Sequence, residues 1–168
     1  MLYAIQVLTG EEERTIKMCN VLIDEQILTD VFYPETEIMR RYKGSWHKLR
    51  RPMFPGYIFA ETEQVEELFF KFIWIPKLTK ILGTGLAPVA LSEEEEAWLK
   101  RITNEDHVAE ISIGIIEGDE LIVNSGPLVG LEGTVKKINR HERQAVVEVE
   151  MFHRKMEMTL GLEVVEKK

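Results

Sequence analysis

Apolar residues along the first part of the chain form strand-like runs and one helical stripe. Residues 2–8 (LYAIQVL) are an apolar run, which predicts a buried strand. Thr9 precedes Glu12 by three residues, a capping-box spacing that predicts a helix beginning near Gly10. The apolar stripe that continues this helix falls at spacings of three and four, at Ile16, Cys19, Ile23 and Ile27.

The elements that follow are typical of an α+β protein. Strands are predicted over residues 30–34, 53–60 and 78–82, helices over 61–72 and 92–102, and a hairpin over 40–51. Ser92 and Glu95 have the capping-box spacing at the start of the last of these helices. The order β-α-β-β-β-α-β-α predicts an α/β sandwich with a mostly antiparallel sheet.

The C-terminal part of the chain has period-two alternation, interrupted by glycines between residues 118 and 133. This pattern predicts five short strands over residues 114–168, arranged as a small closed or partly closed β-barrel. Each glycine costs a helix about 1 kcal/mol relative to alanine, so we expect this region to remain β-structure. The acidic, aperiodic residues 104–113 are interpreted as a linker between a domain of residues 1–103 and a domain of residues 114–168.

Composition and charge exclude several classes of protein. The chain has 168 residues, 45% of them hydrophobic, and no apolar run long enough to span a bilayer. The N-terminus lacks the basic and small-residue features of a secretory signal, and Cys19 is the single cysteine. We therefore expect a cytoplasmic monomer that does not bind membranes, with Cys19 in the core.

Catalytic and metal-binding patterns are not found in the sequence. No nucleophile is paired with a base, no carboxylates are paired in a motif, and His141 and His153 have no third ligand at zinc-binding spacing. The expectation is a protein with no catalytic residue, no metal and no cofactor, although scattered carboxylates leave an enzyme as an open alternative.

Two basic clusters contrast with the net charge of −8. Local charge governs contacts within a Debye length of about 10 Å, so either cluster can bind a polyanion. The first cluster also holds Tyr42 and Trp46 as stacking surfaces and consists of Arg40, Arg41, Lys43, Lys48, Arg50 and Arg51. The second consists of Lys136, Lys137, Arg140, His141, Arg143, Arg154 and Lys155. The alternative for both is ordinary solvated surface charge.

The strand over residues 53–60 is apolar on both faces. Period two places Tyr57 and Phe59 on one face and Phe54 with Ile58 on the other. Two apolar faces indicate either helices on both sides of the sheet or an accessible binding surface.

Several motifs resemble those of the NusG family of transcription factors. They are the opening strand Tyr3–Gly10, the run Phe54-Pro55-Gly56-Tyr57-Ile58-Phe59, and Gly126-Pro127-Leu128 with Gly130–Val135, which is similar to a KOW motif. The resemblance covers nearly the whole chain. It departs from the family pattern at Leu2, where tryptophan is common, and at Leu128, where phenylalanine is common.

This resemblance implies a NusG-like N-terminal domain followed by a five-stranded KOW β-barrel. The N-terminal domain of such proteins binds the clamp helices of the largest RNA polymerase subunit. Carried over to this chain, the binding residues are Gln6, Phe54, Tyr57, Phe59 and Ile81. A family loop that contacts ribosomal protein S ten aligns with residues 151–154, which makes Leu128, Met151 and Phe152 possible contacts.

The short length and the basic clusters are closest to specialised paralogues such as LoaP. That likeness implies an RNA polymerase-associated factor that promotes processive antitermination, with the two basic clusters contacting a leader RNA hairpin. One alternative is a general NusG-type elongation factor that couples polymerase to ribosomal protein S ten. Another is a ribosome-associated KOW protein that binds RNA, although an isoelectric point near 5.1 counts against it.

Overall fold

The computed structural model describes residues 1–75, 89–152 and 154–167. The chain divides into two compact units. The first contains residues 1–33 and 54–96, and the second contains residues 34–53 and 97–168. Residues 34–53 therefore belong to the second unit although they lie within the sequence of the first.

The structure is mixed α/β, as the sequence pattern predicted. Within the described residues, the helices are α1 (Glu12–Leu22), α2 (Val65–Trp74) and α3 (Glu93–Ile102), with a short 3-10 turn at Glu132–Thr134. The strands are β1 (Leu2–Gln6), β2 (Asp30–Phe32), β3 (Glu35–Tyr42), β4 (Ser45–Pro52), β5 (Tyr57–Glu61), β6 (Val89–Ala90), β7 (Val108–Ala109), β8 (Ser112–Glu117), β9 (Glu120–Ser125), β10 (Val135–Asn139), β11 (Gln144–Met151) and β12 (Arg154–Lys167).

The first unit is built on an antiparallel sheet of strand order β2-β5-β1-β6. Helices α1 and α2 supply apolar side chains to a core on one side of this sheet. The predicted stripe is confirmed, since Cys19 and Ile23 are buried in that core and Ile16 and Ile27 pack against it. Ile58 and Ala60 of β5 supply the sheet side of the same core.

Of the two predicted capping boxes, one is observed. Ser92 and Glu95 exchange hydrogen bonds between side chain and backbone at 3.0 and 3.2 Å, which satisfies two backbone N–H groups at the start of α3. The box predicted at Thr9 is wrong. Helix α1 begins at Glu12 with no side-chain cap, because the Glu12 carboxylate binds other backbone groups.

Other element boundaries differ by a few residues from those predicted. Helix α2 begins at Val65 rather than at Glu61, because Glu61 is the last residue of β5 and pairs with both β1 and β2. The predicted strand over residues 78–82 lies outside the described residues. No helix in the described part of the chain is both long enough and apolar enough to cross a membrane.

The second unit contains two sheets. One has the order β4-β3-β7, and the other has the order β10-β11-β12-β8-β9. Val108 and Ala109, which fall within the predicted linker, pair in parallel with β3 and are fully buried. The boundaries of the two predicted domains stay a prediction.

Five strands, β8 to β12, are present in the C-terminal part, as predicted in number, but β8 begins at Ser112, inside the predicted linker. Strand β12 pairs antiparallel with β11 along its first half and parallel with β8 along its second half. Among the described residues, β10 and β9 form the two edges of this sheet, so no closed barrel is seen and the partly closed form stays a prediction.

Gly126 explains the tight connection after β9. Its φ angle is +97°, and a Cβ atom there would lie 2.5 Å from the Cα atom of Ser112. The Ser112 hydroxyl accepts a hydrogen bond of 3.0 Å from the backbone N–H of Leu128, which is fully buried. Glycine is therefore required at position 126, both because the φ angle is positive and because the backbone approaches β8 closely.

Candidate functional site

The face of the first unit's sheet opposite the helices carries several of the predicted polymerase-binding residues. Gln6 pairs with Tyr57, and Ala4 pairs with Phe59, which in turn pairs with Phe32. Directly paired residues of antiparallel strands project to the same face. The structure therefore brings Gln6, Tyr57 and Phe59 together, while Ile58 projects into the helix-backed core.

Aromatic rings form a cluster on this face. The ring of Phe59 stacks with that of Phe32 at a centroid distance of 5.8 Å and lies 5.9 Å from that of Phe54. Phe54 and Phe59 are buried, at 2% and 0% exposure. Tyr57 is half-buried and Gln6 is exposed. In this arrangement Tyr57 and Gln6 are accessible, and the two phenylalanines support them from within.

The burial of Phe54 and Phe59 differs from the accessible aromatic face that one reading of the sequence predicted. Phe54 also lies on the other side of the sheet from the one that period two indicated, since its ring contacts Phe59 and not the helix-backed core. The alternation fails because the Pro55-Gly56 turn interrupts the strand. Ile81, the fifth predicted residue, lies outside the described residues, and the polymerase-binding role of all five stays a prediction.

The turn that precedes β5 is fastened by the buried carboxylate of Glu12. That carboxylate accepts hydrogen bonds from the backbone N–H groups of Gly10 at 3.1 Å and Gly56 at 2.9 Å. Gly56 has a φ angle of +86°, and a Cβ atom there would lie 3.1 Å from the Thr9 hydroxyl. The start of α1 and the turn before Tyr57 therefore depend on one side chain.

The first basic cluster lies on the antiparallel hairpin of β3 and β4 in the second unit. Lys43 and Gly44 both have positive φ angles, 50° and 78°, as expected for the two central residues of a tight hairpin turn. All six cations of the cluster are exposed. Lys48 forms an ion pair of 3.7 Å with Glu37, whose side chain is largely buried.

The structure brings this hairpin together with part of the second basic cluster. A cleft of about 680 Å³ is lined by residues of β3 and β4 and by the turn between β10 and β11. Its lining includes Arg40, Arg41, Arg50, Arg51, His141, Glu142 and Gln144, together with Trp46 and the apolar Ile38, Met39 and Leu49. Four arginines and one glutamate thus line the cleft, which gives it a net positive charge.

Arg143 connects the two segments directly. Its guanidinium carbon lies 4.2 Å from the centroid of the Trp46 ring, within the range of a cation–π interaction. The same guanidinium pairs with Glu163 at 3.8 Å. The backbone carbonyl of Arg143 accepts a hydrogen bond of 3.0 Å from Leu162, which fixes the turn on β12.

The remaining predicted basic residues lie apart from this cleft. Lys136 and Lys137 line a second cleft of about 470 Å³, which also contains Asp119, Glu120 and Glu132. Lys155 pairs with Glu148 at 3.9 Å. Arg140 and Arg154 are exposed and do not line either of these clefts.

The three possible contacts for ribosomal protein S ten occupy different environments. Leu128 and Met151 are fully buried in the second unit. Phe152 is half-buried and has a φ angle of 56° in the turn between β11 and β12. In this arrangement the first two residues support the sheet, and Phe152 alone of the three reaches the surface.

Sequence reasoning missed two residues that shape these sites. Phe32 belongs to the aromatic face, and the alternation of Val31 and Phe32 in the predicted strand was the available signal. Glu12 was interpreted as a helix-capping residue, and no local signal indicates its contact with Gly56, which lies 44 residues away.

Comparisons with known proteins find similarity to NusG proteins over nearly the whole chain. The family model described as transcription termination factor nusG matches residues 2–100. The transcription termination/antitermination protein NusG of Thermus thermophilus is 28% identical over 178 residues, covering 98% of this chain and 97% of that protein. The protein of the same name from Haemophilus influenzae is 27% identical, covering 98% of this chain and 92% of that protein.

A solved structure is similar in fold. The structure titled "Domain interaction in Thermotoga maritima NusG" has a TM-score of 0.54, with 95% of this chain and 92% of that chain covered. The sequence identity is 19%, so this likeness supports the fold alone.

Proposed function

The chain belongs to the NusG family of transcription termination/antitermination factors, and from this premise we propose that it binds RNA polymerase and promotes processive antitermination. Its first unit contacts the clamp helices of the largest polymerase subunit. Basic residues of its second unit contact a leader RNA hairpin. The match of the family model to residues 2–100 carries the proposal, because that range contains β5 and the turn before it.

The sheet face of the first unit supports the polymerase contact. Tyr57 is half-buried with its partner Gln6 exposed beside it, and the buried rings of Phe54 and Phe59 hold the strand beneath them. Partly accessible aromatic residues on a rigid sheet are typical of interface hot spots, where truncation costs about 2 kcal/mol or more. The proposed contact is therefore made by Tyr57 and Gln6, with the two phenylalanines as support.

The charge distribution of the second unit supports the RNA contact. The cationic cleft is lined by residues from both basic clusters, and Lys43 and Arg140 are exposed in the β3–β4 and β10–β11 turns. Phosphate neutralisation by such residues supplies most of the affinity for nucleic acid and makes it salt-dependent. A specialised antitermination factor needs such an RNA contact to choose its transcript, and this is where the likeness to LoaP contributes.

A general elongation factor that couples polymerase to ribosomal protein S ten is the second candidate. It would use Leu128, Met151 and Phe152, and the burial of Leu128 and Met151 argues against that contact in the free chain. A ribosome-associated RNA-binding protein is disfavoured by the net charge of −8.

Transcription in vitro over a terminator tests the proposal. Two templates are compared, one with a leader hairpin upstream of the terminator and one in which the hairpin is disrupted. Readthrough that rises with the protein on the first template and not on the second is expected. Unchanged termination on both templates would contradict antitermination, and equal readthrough on both would indicate a general elongation factor.

A further inference from the structure

We infer that the cationic cleft of the second unit binds an unpaired nucleotide segment, with phosphates on its arginines and a base stacked on Trp46. This inference deepens the proposed function and rests on it for biological context. It specifies that the protein recognises a single-stranded part of its target, such as the loop of a hairpin, and not a duplex stem.

The first argument is the convergence of segments that are remote in sequence. Arg40, Arg41, Arg50 and Arg51 come from the β3–β4 hairpin, whereas His141 and Gln144 come from the turn between β10 and β11. The cleft volume of about 680 Å³ falls within the range of about 300–1,000 Å³ that is typical of ligand-binding sites.

The second argument is that the cleft arginines are not held in ion pairs with carboxylates of the protein. In the described part of the chain, none of the four cleft arginines forms an ion pair. Lys48 and Arg143, by contrast, have carboxylate partners in Glu37 and Glu163. Guanidinium groups without such partners are free to bind phosphates, and their planar shape favours bidentate contacts with phosphate oxygens.

The third argument is the aromatic ring at the cleft. Trp46 is half-buried and lines the cleft beside Arg41, with which it pairs across the hairpin. Arg143 lies over its ring and thereby restricts its orientation. Bases of unpaired nucleotides stack on such rings, whereas bases within a duplex stack on one another and do not present their faces. Arg143 acts in this site as a positioning residue.

Fluorescence anisotropy with the full chain tests this inference. The probes are a labelled, unstructured RNA of about 12 nucleotides, DNA of the same sequence, and a blunt RNA duplex of the same length. The wild-type protein is expected to bind both single strands more tightly than the duplex. A higher affinity for RNA than for DNA would indicate additional contacts to the 2′-hydroxyl groups. Equal affinities would indicate that the site binds the phosphates and bases, which RNA and DNA share.

Two variants of equal charge separate the cleft from general electrostatics. Arg40→Gln/Arg51→Gln removes two cleft cations, and Arg14→Gln/Lys17→Gln removes two exposed cations of α1. The cleft variant is expected to bind the RNA at least tenfold more weakly. Its slope of log K against log salt is expected to fall by about 1.4, which corresponds to two phosphate contacts. The α1 variant is expected to match the wild type.

Trp46 gives an independent readout. Trp46→Ala is expected to weaken RNA binding about fivefold or more, and Trp46→Phe is expected to recover most of that loss. In a protein with Trp74→Phe and Trp98→Phe, the remaining tryptophan fluorescence should be quenched by bound RNA. Far-UV circular dichroism checks that each variant is folded.

Several outcomes would overturn the inference. They are no binding of any single strand, tighter binding of the duplex, equal behaviour of the cleft and α1 variants, and unchanged affinity of a folded Trp46→Ala protein. None of these outcomes would contradict the proposed function, which the transcription assay tests separately. Conversely, RNA binding at the cleft without any effect on termination would contradict the proposed function and not the inference.

Discussion

The guanidinium group of Arg143 lies over the indole ring of Trp46, with 4.2 Å between the guanidinium carbon and the ring centroid. The two residues are in contact although they are far apart in the sequence. This contact joins the basic hairpin to the turn between β10 and β11, and both of these segments line the cationic cleft.

Loss of this contact should reduce stability. We expect Arg143→Ala to lower the free energy of unfolding by about 1 kcal/mol, since the cation–π contact is partly exposed. The left-handed backbone at this position, with φ of 57°, costs alanine and arginine alike, so it does not contribute to the difference. Urea denaturation measures the change. Arg140→Ala, at an exposed position in the same turn, is the control, and an equal loss in both variants would contradict the assignment.

Tyr57 is the residue on which the polymerase proposal depends most directly. We expect Tyr57→Ala to weaken polymerase binding at least tenfold, because a truncated aromatic hot spot costs about 2 kcal/mol or more. Titration of labelled protein with purified polymerase measures the affinity. Tyr42→Ala removes an exposed tyrosine of the second unit and should leave it unchanged. Wild-type affinity of a folded Tyr57→Ala protein would remove the residue from the interface.

Glu12 should matter more to stability than its neighbours on α1. We expect Glu12→Ala to lower the free energy of unfolding by about 2–3 kcal/mol, because it leaves the buried N–H of Gly56 without its charged acceptor. Glu13→Ala removes an exposed i,i+4 pair with Lys17 and should cost about 0.5 kcal/mol or less. Thermal or urea unfolding compares the two, and similar losses would rule out the fastening role of Glu12.

Glycines in the KOW-like motif should differ sharply in their tolerance of substitution. We expect Gly126→Ala to destabilise the protein by about 2 kcal/mol or more, because its Cβ atom would clash with Ser112 at a backbone angle that alanine avoids. Gly133→Ala introduces a Cβ atom into open space and should change stability by less than about 1 kcal/mol. Differential scanning calorimetry distinguishes them, and equal tolerance would disprove the close approach to β8.

Cys19 provides a pH-dependent prediction. Burial raises the pKa of its thiol from 9.0 to about 12. Between these values the unfolded chain loses the proton and the folded chain keeps it, so this residue's contribution to stability falls as pH rises from about 9 to 12. Stability should therefore decline more steeply between pH 8 and pH 10 in the wild type than in Cys19→Ala, as measured by urea denaturation. Parallel declines would contradict the burial of this thiol.

Features set by local spacing could be predicted from the sequence. The capping box of Ser92 and Glu95 was recognised because both partners lie within one helical turn. The stripe that includes Cys19 and Ile23 was recognised for the same reason. Strands β9 to β12 followed from period-two alternation, although the pattern could not reveal that the sheet edges β9 and β10 do not pair.

Features set by remote contacts could not be predicted in this way. The side of the sheet on which Phe54 lies depends on the backbone conformation at Gly56. The Glu12 carboxylate binds the N–H of Gly56, 44 residues away, and does not form the predicted capping box with Thr9. The cleft forms because two segments that are remote in sequence lie side by side, and the charges of the two segments do not predict that proximity. The roles of the predicted site residues stay predictions.

The placement of residues 34–53 has a consequence for dividing the molecule. The β3–β4 hairpin is encoded between β2 and β5 of the first unit, yet it pairs with β7 and belongs to the second. If the chain were divided after residue 96, the hairpin would remain on the N-terminal fragment, whereas its partner strand β7 would be on the C-terminal fragment. The complementary fragment would lack both the partner of Val108 and four arginines of the cleft. Reassembly of the two fragments in trans would restore them only by exchange of this hairpin between polypeptides.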